Sequence, residues 1–469
     1  MGIMSSLRRR AAVVAAAVCA GALALTGCTA FNNSDDGTAD GNGASATTQT
    51  FQPSGGKPTA TLSIASGSEN KEVATAIQKA ADQSNVAVTM HYMGSLEIMN
   101  ALKAGGQNYD AVWPASSMWI SMGDAKHIVK DAASTSTTPI VFGIAKSKAV
   151  KLGWADDSGA TKPVSTADIL AAVSDGKLTF SMTSATQSNS GASAYLAFMT
   201  ALRGGDGPLT EADLADDQLK TSVTKLLSGV DRSSGSSDWL KDMVVANPDR
   251  FDAMVNYESL VIQADKALDK DGHDPLLTVY PSDGIAVSDS PFGYVDRGQK
   301  LKSAFASFSK ALGSKDAKLE FERAGRRTGL GGTLAYATDS QVKQSFRAEW
   351  GVNTDASALK TIPLPAATVI DSALNVYQTA LDELPSESEA SQYTTAIVLM
   401  TDGRSNSDHQ DEFESAYKSR GRDLPIFSIM FGDADPSQLK SLATLSNAKV
   451  FDGRSGDLAA VFRQVKGFN

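Results

Sequence analysis

One run in this chain is built from residues that can hold a ligand without a charged side chain. Thr183-Ser-Ala-Thr-Gln-Ser-Asn-Ser-Gly191 is dense in hydroxyls, amides and glycine, and it stands between an apolar segment and a segment of helical periodicity. Backbone N–H groups at a helix N-terminus, ringed by hydroxyls, can seat an anion or a carbonyl-rich ligand. The same residue types are good helix caps, so a capped helix behind a polar loop explains the run equally well. A second polar run, Asp231-Arg-Ser-Ser-Gly-Ser-Ser237, also precedes an expected helix. Catalytic arrangements are harder to build. The serines cluster in turns and caps, and no Ser-His-Asp or paired-carboxylate set can be argued beside them. His91, His127, His273 and His409 are scattered, with no HExxH and no paired metal spacing. No enzyme activity is expected.

The elements that must carry these loops alternate. Thr61 to Ala65 reads as a buried strand, followed by the polar turn Ser66-Gly67-Ser68-Glu69-Asn70 and a helix through Val73, Ile77 and Ala81. Val86 to Tyr92 is a strand, Leu96 to Lys103 a helix, and Tyr109 to Trp113 a third strand. This βαβαβ order predicts a parallel sheet with a ligand cleft at its strand carboxyl ends. Pro139 to Ile144 and Leu178 to Met182 are further strands, with helices from Ser165 to near Gly176 and from Ala192 to Arg203. Leu276 to Tyr280 and Ile285 to Val287 are strands before a helix from Gly298 to Leu312, so the chain enters a second region near residue 146 and returns near 275.

Charge and cysteine usage narrow the function classes. With 43 basic and 53 acidic residues and no basic cluster beyond the N-terminus, the chain is a poor nucleic-acid binder. Its only cysteines are Cys19 and Cys28. Arg8-Arg9-Arg10, the apolar run Ala11 to Leu25 and Leu25-Thr-Gly-Cys28 form an export signal in order. That ending resembles the bacterial lipobox, which implies cleavage after residue 27, lipidation of Cys28 and a membrane-anchored, extracytoplasmic protein. No thiol would then remain for disulfide, zinc or nucleophile chemistry. Residues 28–58, rich in Gly, Ser, Thr, Asn and Asp, are expected to be a flexible tether.

From 59 to about 330 the chain resembles an extracellular solute-binding protein of the type II, two-lobed kind. The residues carrying the resemblance are Ser66-Gly67-Ser68-Glu69, Val112-Trp-Pro-Ala-Ser116, Met182 to Gly191, Ser233-Ser-Gly-Ser236, Asn256-Tyr-Glu258 and Tyr280-Pro-Ser-Asp-Gly284. The resemblance implies ligand contacts from Ser66, Gly67, Ser68 and Glu69, from Ala115 and Ser116, from Gln187, Ser188, Asn189 and Ser190, and from Glu258. For Glu258, an ion pair with a neighbouring arginine at the hinge is an equal alternative. The partners implied are a small-molecule ligand and, if the protein serves a transporter, a membrane permease.

After a connector, 331–393, that includes a helix from Val369 to Leu384, the segment 394–469 carries a second resemblance. The apolar strand Thr394 to Met400, Thr401-Asp402-Gly403, and a βαβαβα order that ends in a helix from Asp457 to Lys466 resemble the second half of a von Willebrand factor type A domain. The expected fold class is therefore α/β: a two-lobed periplasmic-binding-protein type II fold followed by a partial, doubly wound von Willebrand type A-like unit. In that family Asp402 would belong to a Mg²⁺ site. The site also needs an Asp-x-Ser-x-Ser loop, and none occurs here; Asp355-Ala-Ser-Ala-Leu359 and Asp231-Arg-Ser-Ser-Gly235 come nearest. Asp402 is thus the one metal candidate, in an incomplete site, and no competent Mg²⁺ centre is expected. With the family's first three strands unaccounted for, the strand ending at Met400 is expected to be an open edge. Capture of a small ligand is the leading function; a cell-surface adhesion or assembly factor working through the C-terminal unit is the alternative.

Overall fold

The computed structural model describes residues 48–106, 108–356, 359–383, 397–401, 410–419, 425–431, 434, 436–454, 461 and 465. The first lobe starts with strands β1 (Thr48–Phe51), β2 (Ala60–Gly67), β3 (Val86–Met93), β4 (Ala111–Trp113) and β5 (Val129–Ser134). The second lobe contains β6 (Thr138–Ala145), β7 (Phe180–Thr183), β8 (Val230–Ser234), β9 (Ala253–Tyr257), β10 (Leu276–Val279) and β11 (Val287–Ser288). The chain then returns to the first lobe as β12 (Pro291–Val295). A C-terminal sheet is made of β13 (Ile397–Thr401), β14 (Ile426–Met430) and β15 (Val450–Asp452).

The first sheet runs β1-β3-β2-β4-β12-β5, with β2 parallel to both β3 and β4. Leu62, Ile64, Val88 and Met90 are buried, as expected for strands covered on both faces. The crossover helix Ala74–Ser84 ends at Asn85, whose left-handed backbone (φ 54°) turns the chain into β3. The second sheet runs β10-β6-β9-β7-β8, with β11 added to β6.

Several elements differ from the sequence expectation. Thr48–Phe51 belongs to the sheet rather than the tether: it pairs antiparallel with β3 and buries Phe51. Its polar composition hides an edge strand whose side chains mostly face solvent. Residues 231–234 form β8, parallel to β7, rather than a loop, because Arg232 and Ser234 turn inward and are buried. The helix expected from Ala192 begins at Asn189. Strands β5 and β12 are new; one is a polar edge and the other opens with a proline, and both weaken the strand signal.

Three stretches of chain join the lobes. β5 leads into β6, β11 into β12, and a third passage at Arg326-Arg327 bridges back to Thr137 through paired backbone hydrogen bonds of 2.8 and 2.9 Å. Beyond it, the helix Ala367–Glu383 packs on helices of both lobes, against Ser117–Gly123 of the first and Asn189–Arg203 of the second. One apolar cluster accordingly contains Met118 and Trp119, Phe142 and Tyr195, and Ile370, Ala373 and Tyr377.

In the C-terminal sheet β13 pairs in parallel with β14, and β14 with β15. Among the described residues β14 is the only strand bonded to β13, and no strand lies between β12 and β13. Ile397, Val398 and Met400 are 40, 39 and 48 % exposed on this edge. The helix expected over 457–466 lies almost wholly outside the described residues. An apolar open edge promotes strand-to-strand association, and a lysine blunts it. Met400→Lys should raise the concentration at which the chain self-associates in sedimentation velocity while changing stability by less than about 0.5 kcal/mol. An unchanged association profile would show that the edge is already covered.

Candidate functional site

Both lobes bring polar loops to one seam. In the first lobe β2 ends in Ser66-Gly67, and the chain turns at once into a 3₁₀ helix, Ser68–Val73. The Glu69 side chain folds back over Gly67, so that a Cβ there would stand 2.1 Å from Oε1 and push the carboxylate aside. Ala115 and Ser116 follow β4. Ser116 caps Ser117–Gly123 by accepting from the Met118 N–H, and Ala115 donates its N–H to Ser95 Oγ (3.1 Å).

In the second lobe, Gln187, Ser188, Asn189 and Ser190 enter the helix Asn189–Arg203. Ser190 Oγ lies 2.7 Å from both Thr183 Oγ1 and Ser237 Oγ, and Ser188 Oγ lies 3.1 Å from Ser237 Oγ. Two helix N-termini therefore share one buried hydroxyl network. Asn189 donates from Nδ2 to Tyr257 OH (3.0 Å) and Ser288 Oγ (2.8 Å), and its Oδ1 accepts from Trp119 Nε1 of the first lobe at 2.7 Å.

The seam is closed. Ser236 Oγ donates to Ser68 Oγ across it (3.2 Å), Lys71 pairs with Asp238 (3.4 Å), and Lys241 pairs with Glu72. The carbonyl of Gln187 approaches Gly94 so closely that a Cβ at that glycine would be 2.2 Å away. Ser66, Ser68, Glu69, Ala115, Ser116, Ser188, Asn189 and Ser190 are all buried, so a solute reaches them only when the lobes part.

Glu258 stands apart from this set. Arg327 donates to its carboxylate through Nε (2.7 Å) and Nη2 (2.6 Å), and Tyr280 OH donates to it as well. Both partners of the ion pair are fully buried at the third passage between the lobes. The ion pair offered as the alternative for Glu258 is thus present, with both carboxylate oxygens engaged.

Two residues beside the seam were not singled out from sequence. Asn70 holds Ser66 Oγ and the Trp113 carbonyl through Nδ2, tying the ends of β2 and β4 together. Arg326 donates to the Glu69 carbonyl (2.8 Å) and to Ser290 Oγ (3.3 Å). Three buried atoms here have no hydrogen-bond partner: Glu69 Oε1, Asn70 Oδ1 and Arg326 Nε. An orphan of this kind costs about 1–3 kcal/mol. The Arg326-Arg327 doublet was the available sequence signal, since two adjacent arginines rarely occur in a buried segment without partners.

Burial pushes the Glu69 carboxyl up to about 7, against the opposing field of the Arg326 guanidinium. The unfolded chain releases that proton near 4.5. Between these values the native state binds more protons, so stability falls as pH rises from about 4.5 through about 7. Glu69→Gln should remove this loss, stabilising the chain by about 3 kcal/mol at pH 8 and leaving it unchanged at pH 4. Urea melts at the two pH values test this; equal effects at both would mean the carboxyl is not held protonated.

Asp402 lies outside the described residues, and among those described no group of three or more His, Cys, Asp or Glu side chains is placed to hold a metal.

Two α/β lobes, three joining passages and polar loops from both lobes at one seam describe a two-lobed binding protein. Over residues 62–327, more than half of the chain, the sequence matches the family model of the bacterial extracellular solute-binding proteins. The chain belongs to that family. A von Willebrand factor type A domain model matches residues 319–464, taking in the Ala367–Glu383 helix and the C-terminal sheet. Among solved structures, the solute-binding fold is shared with the periplasmic binding protein AfuA from Actinobacillus pleuropneumoniae, solved with fructose-6-phosphate. The TM-score is 0.51 at 14% identity, over 70% of this chain and 99% of that one. The substrate-binding protein of an Agrobacterium tumefaciens ABC transporter gives 0.51 at 15% identity, covering 73% and 100%. A periplasmic thiamin-binding protein gives 0.50 at 12%, covering 70% and 98%. At these identities the likeness is one of fold. Among curated proteins, none matches the chain.

Proposed function

We propose that this solute-binding protein is a non-catalytic, lipid-anchored receptor that captures a small ligand between its two lobes on the extracytoplasmic face of the membrane. The observation that carries the reading is the seam itself, where loops from both lobes meet in direct hydrogen bonds and ion pairs. Such a closed form is one end of a two-state motion, and a ligand with contacts to both lobes shifts the balance between the states. Ser66 to Glu69, Ala115-Ser116 and Gln187 to Ser190 are the contacts proposed, and a membrane permease that reads the closed form is the proposed partner.

Cys28, which lies outside the described residues, is the proposed anchor; among the described residues no helix is long and apolar enough to cross a membrane. Cys28→Ala should release the chain from the membrane fraction into the medium. Retention in the membrane would overturn the lipid anchor. Native mass spectrometry of chain purified gently from its own cells tests capture: a discrete added mass, lost on unfolding, is the expected result. The exposed edge of β13 favours a second reading, in which the C-terminal unit joins a surface protein in adhesion or assembly. Only a protein partner in the same spectrum would support it over capture.

A further inference from the structure

One turn of helix meets three parts of the molecule. The helix Ser237–Ala246 of the second lobe is capped by Ser236, whose hydroxyl donates to Ser68 Oγ of the first lobe. Asp238, in its first turn, pairs with Lys71 of the first lobe at 3.4 Å. Lys241 pairs with Glu72 of that lobe, with Asp238 at 3.2 Å and with Asp242 at 3.0 Å. Trp239 lies in the same turn. Its side chain packs against two apolar clusters, one within the second lobe and one in the C-terminal sheet. The first holds Leu240, Met243 and Phe251, and the second Phe427, Ile429 and Phe451.

Charge points the same way. The side chains of Lys71, Glu72, Asp238 and Lys241 are each no more than 20 % exposed, so salt screens their cross-lobe pairs weakly. With Asp242 included, two lysines face three carboxylates. Lys449, directly before β15, brings a further cation to them; its Nζ lies 5.7 Å from the centroid of the Phe451 ring. Burial pushes the Lys449 ammonium down to about 8, Lys71 adds to the fall, and Asp238 and Asp242 oppose it. The C-terminal sheet thus meets the second lobe beside the ion pairs that join it to the first. Attraction between charges strengthens as the medium around them becomes less polar, so a cover over such pairs tightens them and its removal loosens them.

Resting on the capture reading above, we propose that the C-terminal unit is an intramolecular brake on lobe opening. Docked on Trp239, it shelters the ion pairs that tie Lys71 and Glu72 to Asp238 and Lys241, and it holds the seam shut. Lifted away, it leaves those pairs to water and salt, and the lobes part to take in or release solute.

Hydrogen exchange on the purified full chain reads both events, docking in residues 426–430 and closure in residues 66–73 of the first lobe. Trp239→Ala removes the docking side chain. Lys449→Glu sets a like charge beside Asp238 and Asp242 and leaves both lobes unaltered. Each variant should quicken exchange at 426–430 and, by about tenfold, at 66–73. Raising NaCl from about 0.05 M to about 0.5 M should speed 66–73 further in both variants and not in the unsubstituted chain. Lys241→Met cuts the ion pairs directly, so it should quicken 66–73 and leave 426–430 as it is. Faster exchange at 426–430 with 66–73 unchanged would overturn the brake. So would unchanged exchange at 426–430 in both docking variants, or at 66–73 in Lys241→Met. Capture is judged separately by native mass spectrometry: a bare chain there overturns capture, whereas a bound solute with any of these exchange results overturns the brake alone.

Discussion

Arg327→Met should destabilise the chain by about 3–5 kcal/mol, the largest effect expected of any single substitution at the hinge. Glu258 would be left as a carboxylate buried in the protein, with its two guanidinium bonds gone and Tyr280 OH as its remaining donor. A buried charge without its counter-charge is far more costly than the intact pair is stabilising. For the same reason, adding Glu258→Gln to Arg327→Met should recover much of the loss. Denaturant unfolding of the two single variants and the double variant measures the coupling. A loss below about 1 kcal/mol for Arg327→Met would mean that water reaches the pair and that the hinge does not depend on it.

The second large effect is expected far from the hinge. Tyr377→Ala on the Ala367–Glu383 helix should cost about 3 kcal/mol, because its buried ring packs edge-on against Tyr195 at 5.0 Å between centroids. Its hydroxyl also lies beside Ser184 and Ala185, immediately before the Gln187 to Ser190 loop. Hydrogen exchange should therefore quicken in two places, the helix and residues 183–191, rather than in the helix alone. Faster exchange confined to the helix would show that the loop holds its shape without it.

These two residues show what a sequence can and cannot display. The strands β2 and β6 were legible because buried strands read as nearly continuous apolar runs, and β3 by its alternation. β5 was hidden by Lys130, Asp131 and Ser134 on an exposed edge, and β8 by Arg232 and Ser234, polar residues that turn inward. The polar loops could be located, yet not the way in which they pair: Asn189 satisfies Trp119, and that bond spans 70 residues. An arginine beside Glu258 was foreseeable as a type of partner. That the partner is Arg327, 69 residues away, depends on a third passage between the lobes that no local pattern announces. Asn70 and Arg326 escaped notice for a related reason, since an unpartnered buried atom exists only once every neighbour is in place. For β13, a strand built of Ile, Val, Leu and Met calls for two neighbours, and among the described residues only β14 is bonded to it.

The helix Ala367–Glu383 touches both lobes, although it falls within the region matching the von Willebrand type A domain. Whatever separates the lobes must also strip this helix from one of them. If the chain captures a solute by closing its lobes, as proposed, reciprocity requires that a partner drawing this helix off either lobe would weaken capture by the same factor as bound solute weakened that partner's grip.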